Sequence, residues 1–156
     1  MPRRMNTMAL TLLVIAGVCV ALGAYAGPPV GNATSHDATF AWIDVYVEAG
    51  ETHIAAYQLD IEAVDRSWTI VGIEGGDHPA FRLPPYYDPA ALTNDRVILA
   101  AFSLDSDLPS GRTRLARLHV MTRDDAMGWN VSHETAASAD GQEIPIRFEL
   151  VEGAAP

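Results

Sequence analysis

The side chains that could carry acid–base, nucleophilic or metal chemistry are five histidines, twenty acids and one cysteine. His36, His53, His78, His119 and His133 are scattered along the chain without metal-ligand spacing. Asp105-Ser106-Asp107 and the pair Asp124-Asp125 could offer oxygens to Ca²⁺. That ion wants roughly six to eight of them, and neither stretch completes a ligand loop, so both read as solvated turns. Two carboxylates in the right geometry would suffice for glycoside hydrolysis, yet with twenty acids the sequence singles out no pair. Nucleophile elbow, metalloprotease helix, phosphate loop and dinucleotide fingerprint are all missing. The expectation is a chain with no catalytic residues, no metal and no cofactor. Asn32 and Asn130 open glycosylation sequons, which matter only in a host that glycosylates.

Binding chemistry is what remains. Tyr86 and Tyr87 lie in a proline-rich stretch, and Phe40 and Trp42 occupy the polar phase of an apolar run. Exposed aromatics can stack on sugar rings or anchor a protein partner. In the other arrangement, Phe81 and both tyrosines plug the edge of the fold beneath their own loop. The segment from Ala55 to Ala63 alternates with period two. Ala55, Tyr57, Leu59, Ile61 and Ala63 point one way, and Ala56, Gln58, Asp60 and Glu62 point the other. The wet side, Gln58, Asp60 and Glu62, is either an ordinary solvated sheet face or a surface offered to a partner. The candidate partner-binding set is Gln58, Asp60, Glu62, Tyr86 and Tyr87.

These residues need a sheet to position them. Alternation predicts strands in TFAWIDVYVEAGE, with Ala41, Ile43, Val45 and Val47 on one side, Thr52 to Ala63, Trp68 to Glu74, Thr113 to Arg123, a short one in MGWNVSHET, and Ile144 to Val151. Arg96 to Leu104 is apolar on both faces and is expected at a sheet centre. Asp-Gly at positions 140–141 is a strong turn signal. Gly75 to Arg96 holds prolines that exclude a central strand, and a loop of that length is expected to be functional or packed by its own side chains. Seven or eight strands with no convincing helix predict an all-β antiparallel β-sandwich. Its expected core includes Ala55, Tyr57, Leu59, Ile61, Phe102, Leu118, Ile146 and Phe148.

The N-terminus reads as an export signal. Arg3 and Arg4 precede an apolar run from Met8 to Leu22, and Ala24-Tyr25-Ala26 offers a small-x-small cleavage site before Gly27. The alternative is retention as an N-terminal membrane anchor. Cleavage would remove Cys19 and leave a mature chain without a disulfide. It would also leave 8 basic against 20 acidic residues, a net charge of −12. That field disfavours nucleic acid and anionic membrane surfaces. Residues 27–38 read as a flexible lead-in, 39–152 as the sandwich and 153–156 as a disordered tail.

The order of these elements resembles a cohesin domain, within the superfamily that cohesins share with certain carbohydrate-binding modules. The resemblance rests on IDVYVEAGETHIAAYQLDIE and AVDRSWTIVGIEGG, followed by RVILAAFS, SGRTRLARLHVMT and DGQEIPIRFELVEG. It implies a jelly-roll type sandwich and a secreted, non-catalytic module whose partner is a dockerin-like protein. The superfamily's other ligand class, an extracellular polysaccharide, is the alternative. Two departures stand out. The family's Tyr-Asp-Pro turn is replaced by Val64-Asp65-Arg66, and the Asn and Asp that cellulosomal cohesins expose on the second strand fall on Ala56 and Gln58.

Overall fold

The structure, a computed structural model, describes residues 37–123 and 127–154. The segment read as an export signal and Asp124-Asp125 lie outside the described residues. Seven strands run in chain order: β1 (Thr39–Glu48), β2 (Ala56–Ala63), β3 (Trp68–Gly75), β4 (Arg96–Phe102), β5 (Arg112–Thr122), β6 (Trp129–Ala137) and β7 (Arg147–Ala154). They form two antiparallel sheets, one of four strands in the order β3-β5-β1-β7 and one of three in the order β4-β2-β6. Helical structure among the described residues is limited to three short 3-10 turns, at Val64–Arg66, Pro79–Phe81 and Pro89–Ala91. The chain is an all-β sandwich.

Period-two burial builds the core. β1 sends Ala41, Ile43, Val45 and Val47 inward, and β2 sends Tyr57, Leu59, Ile61 and Ala63 to meet them. Trp68, Ile70, Leu99 and Leu118 fill the space between the sheets. Tyr57 spans the two layers, donating its hydroxyl to the Leu115 carbonyl at 3.3 Å. Burial pushes its phenol well above the usual range, so it stays neutral.

Five expectations are corrected. Phe102 is 62 % exposed rather than in the core, because the outward phase of β4 ends on it. Ile146 and Phe148 are only partly buried at the margin of the core. β4 is an edge strand, not a central one, since only β2 pairs along it. In β5, plain alternation puts Leu115 on the wet side with Arg117. A register shift at Val45/Tyr46 instead turns both Leu115 and Ala116 inward. β7 also continues to Ala154, two residues past the expected end of the sandwich, pairing Gly153 with Trp42 and Ala154 with Ala41.

The Gly75–Arg96 loop folds back over one end of the sandwich. Gly75 and Gly76 permit this, since a Cβ on either would overlap backbone of Arg82 and Leu83 or of Arg114 and Leu115. The His78 and Asp88 side chains cap the 3-10 turns that follow them, accepting from the Ala80 and Ala90 amides at 3.3 and 2.9 Å. Phe81 is buried, meeting the Tyr57 ring edge-to-face at 5.3 Å.

Candidate binding face

The outer face of the three-stranded sheet is laid out by its register. Ala56, Gln58, Asp60 and Glu62 of β2 stand opposite Phe102, Ala100, Ile98 and Arg96 of β4. On the other flank they stand opposite Ala137, Thr135, Ser132 and Asn130 of β6. Gln58 and Glu62 are exposed as expected. Asp60 is not: it is 3 % exposed although it points outward. Arg96 lies across it and donates Nε at 3.0 Å and Nη2 at 2.5 Å to its two carboxylate oxygens. His133 Nδ1 approaches from β6 to 3.7 Å. These donors, Arg96 first, hold the Asp60 carboxyl below the usual aspartate range against the upward push of burial. Asp60 therefore belongs to the structural support of the face rather than to its contact surface.

The apolar part of the face comes from β4 and the loop. Tyr86 is 70 % exposed, Phe102 62 % and Ile98 49 %. Tyr86 pairs with Ala100 through two backbone hydrogen bonds of 2.7 and 3.0 Å, which sets its ring beside that of Phe102. The two rings lie 6.3 Å apart and 13° from parallel. Behind them a groove of about 490 Å³ opens between the loop and the end of β4, with Phe81 at its floor and Leu83 and Asp105 at its rim. Tyr87 turns the other way, partly buried against the core. The loop thus divides its aromatics: Phe81 and Tyr87 pack inward, and Tyr86 faces solvent.

Five sequence-derived candidates are thereby sorted. Gln58, Glu62 and Tyr86 share one exposed face, while Asp60 and Tyr87 are withdrawn from it. The sequence reading missed Ile98, Phe102 and Arg96. A signal for them was present, because Arg96, Ile98, Ala100 and Phe102 form one phase of β4 and a charged residue at its head marks that phase as outward.

The outer face of the four-stranded sheet has a different character. Asp44, 7 % exposed, is held by Arg117 through Nε and Nη2 at 2.7 and 2.8 Å and by Arg114 at 3.1 Å. Burial raises its carboxyl pKa, and the two guanidiniums more than offset that, leaving it below the usual range. Trp42 is half-buried, resting on Gly153 with Arg117 over its ring at 5.1 Å. Arg112 covers the Tyr46 ring at 3.7 Å. Trp42 and Tyr46 are already occupied by arginines of the same chain, whereas Phe40, at the start of β1, stays 61 % exposed. Among the described residues, no three His, Cys, Asp or Glu side chains gather closely enough to hold a metal ion. None of the described helices is long and apolar enough to cross a membrane.

No protein-family model and no curated protein sequence matches the chain. Two solved structures resemble it. One is a non-cellulosomal cohesin from the hyperthermophilic archaeon Archaeoglobus fulgidus, with a TM-score of 0.54 at 11 % identity over 69 % of this chain and 73 % of that one. The other is a cohesin module from a Clostridium perfringens family 33 glycoside hydrolase, with a TM-score of 0.48 at 12 % identity over 67 % and 75 %. An identity this low carries the fold and nothing finer: the chain has a cohesin-like β-sandwich fold.

Proposed function

We propose that the chain is an exported, non-catalytic binding module that docks a protein partner on the outer face of its three-stranded sheet. The observation that carries this reading is the contrast between the two outer faces. One has Trp42, Tyr46 and Asp44 tied up by arginines and leaves one aromatic, Phe40, exposed at its end. The other gathers Tyr86, Phe102 and Ile98, each about half or more exposed, beside the polar side chains of Gln58 and Glu62. An apolar cluster rimmed by polar groups is the composition of a protein-docking surface. The likeness to cohesin folds supports a binding role, and a dockerin-like protein is the partner class that the likeness suggests. Export rests on the N-terminal sequence, with residues 1–26 as its signal and a membrane anchor as the alternative.

A second reading is favoured by one observation, the nearly parallel, exposed rings of Tyr86 and Phe102. Such a pair could stack on the sugars of an extracellular polysaccharide. The experiment that separates the two is capture of partners from the host secretome, run beside binding to insoluble polysaccharides with wild type and Phe102→Ala. A defined protein partner lost in the variant supports the first reading. Retention on polysaccharide, lost in the variant, supports the second.

A further inference from the structure

A two-sheet sandwich exposes four strand edges, and three of them are blunted here. Along β3, Ile70 exchanges backbone hydrogen bonds of 2.7 and 2.8 Å with Thr93 and Asn94. On β6 the register shifts opposite Gln58/Asp60, and His133 adopts a left-handed φ of 52°, which breaks the line of the edge. β7 carries three exposed charges along its free edge, Arg147, Glu149 and Glu152. Bulges and edge charges of these kinds keep other chains from pairing.

The outer edge of β4 is bridged by the loop at one residue and lined by it near Ile98, which leaves the Phe102 end open. Ala100 gives both its backbone groups to Tyr86. In an antiparallel strand the residues two positions away turn theirs the same way, so Ile98 and Phe102 also face outward. Continuing the register from Tyr86 places Asp88 opposite Ile98 and Pro84 opposite Phe102, and no backbone hydrogen bond joins either pair. Pro84 has no N–H to donate, and with Pro85 it stops the loop from extending the pairing. The loop diverges there, and the groove of about 490 Å³ opens beside Ala101 and Phe102. Among its lining residues Leu83 is 81 % exposed, Tyr86 70 % and Phe102 62 %. Unpaired backbone groups, an apolar wall and room for a chain therefore coincide at one place.

We propose that this edge takes up an extended segment of another protein by strand addition beside Phe102, a segment in which apolar and basic side chains alternate. Strand addition draws its affinity from main-chain hydrogen bonds and its specificity from alternate side chains. The apolar side chains of the incoming segment meet Tyr86, Phe102 and Leu83. The basic ones answer Asp105, the one charged residue lining the groove, and the net charge of −10 behind it. That same charge opposes a second copy of this chain as the occupant. The inference shares the Tyr86 and Phe102 rings with docking at the sheet face and differs from it in using the backbone of Phe102 and the groove walls rather than Gln58 and Glu62.

The test uses a synthetic peptide of alternating valine and lysine, its backbone N-methylated twin, and a twin with glutamate in place of lysine. Binding is read by fluorescence anisotropy on the intact protein and by perturbation of the Phe102 amide signal. The expected result is binding of the first peptide alone. Phe102→Pro removes the outward N–H without touching a bond to β2, whereas Phe102→Ala removes only the ring. Phe102→Pro should weaken binding about tenfold more than Phe102→Ala, the scale of one lost main-chain hydrogen bond. Gln58→Ala with Glu62→Gln should leave it unchanged, which separates this edge from the sheet face. Equal binding of the N-methylated peptide, equal effects of the two Phe102 variants, or no binding of the valine–lysine peptide overturns the proposal. So does self-association in its absence that Phe102→Pro abolishes, since that assigns the edge to a second copy.

Discussion

Asp60 points to solvent by its place in β2 and is nonetheless sealed under Arg96. Removing the cover leaves a buried carboxylate with only His133, at 3.7 Å, for company. Arg96→Met should therefore destabilise the fold by about 1–3 kcal/mol, the cost of an unsatisfied buried acceptor. Adding Asp60→Asn should recover part of the loss, because the charge goes with it. Urea unfolding of the three proteins at neutral pH checks this, and an Arg96→Met midpoint equal to wild type would contradict it. The same pairing sets a pH dependence. Asp44 and Asp60 both have folded pKa values below the ordinary 3.8. The stabilisation they contribute is fully present above that value and is lost as pH falls through the folded values. The unfolding midpoint should hold from neutral pH down to the aspartate range and decline below about 3.8, with a shallower decline in the Asp60→Asn variant. A midpoint that keeps its neutral value well below that range would count against both pairs. Burial of Asp60 was not legible in the sequence, because alternation assigns a side chain to a face and says nothing of what folds over it.

At the level of elements, the strands whose two phases differ in polarity were the readable ones. β2 shows Tyr57, Leu59 and Ile61 against Gln58, Asp60 and Glu62, and the buried set is the apolar one apart from Asp60. β4 is apolar in both phases, and that pattern arises equally from a central strand and from an edge strand with an apolar outer face. Only the fold-back of the proline-rich loop decides between them, through a single bridging residue, Tyr86. The bulge that buries Leu115 left no sequence signal either, since it depends on pairing with a distant strand. The difference between the two strands can be measured. Leu59→Ala should cost about 2–5 kcal/mol by opening a cavity between the sheets. Phe102→Ala, at the solvent face, should shift stability by less than about 0.5 kcal/mol. Similar losses for both in denaturant unfolding would return Phe102 to the core and undo the edge assignment of β4.

For the molecule as a whole, the two sheets divide the labour. The four-stranded sheet closes the middle of its outer face with Asp44, Arg114, Arg117 and Trp42, leaving Phe40 exposed at one end. The three-stranded sheet leaves its outer face open, and an acidic chain presents there an apolar cluster beside Glu62 and Gln58. The sandwich itself was legible from turn spacing and alternation. The docking surface was legible only in part, because it joins β2, β4 and the loop, which are distant in sequence. The most direct measurement is the affinity of a partner captured from the secretome, titrated calorimetrically against wild type and Gln58→Arg with Glu62→Arg. Both side chains are exposed, so the double variant should unfold within about 0.5 kcal/mol of wild type. Docking on this face predicts that binding is lost in the variant while stability is kept. An unchanged affinity in a stably folded double variant would contradict it.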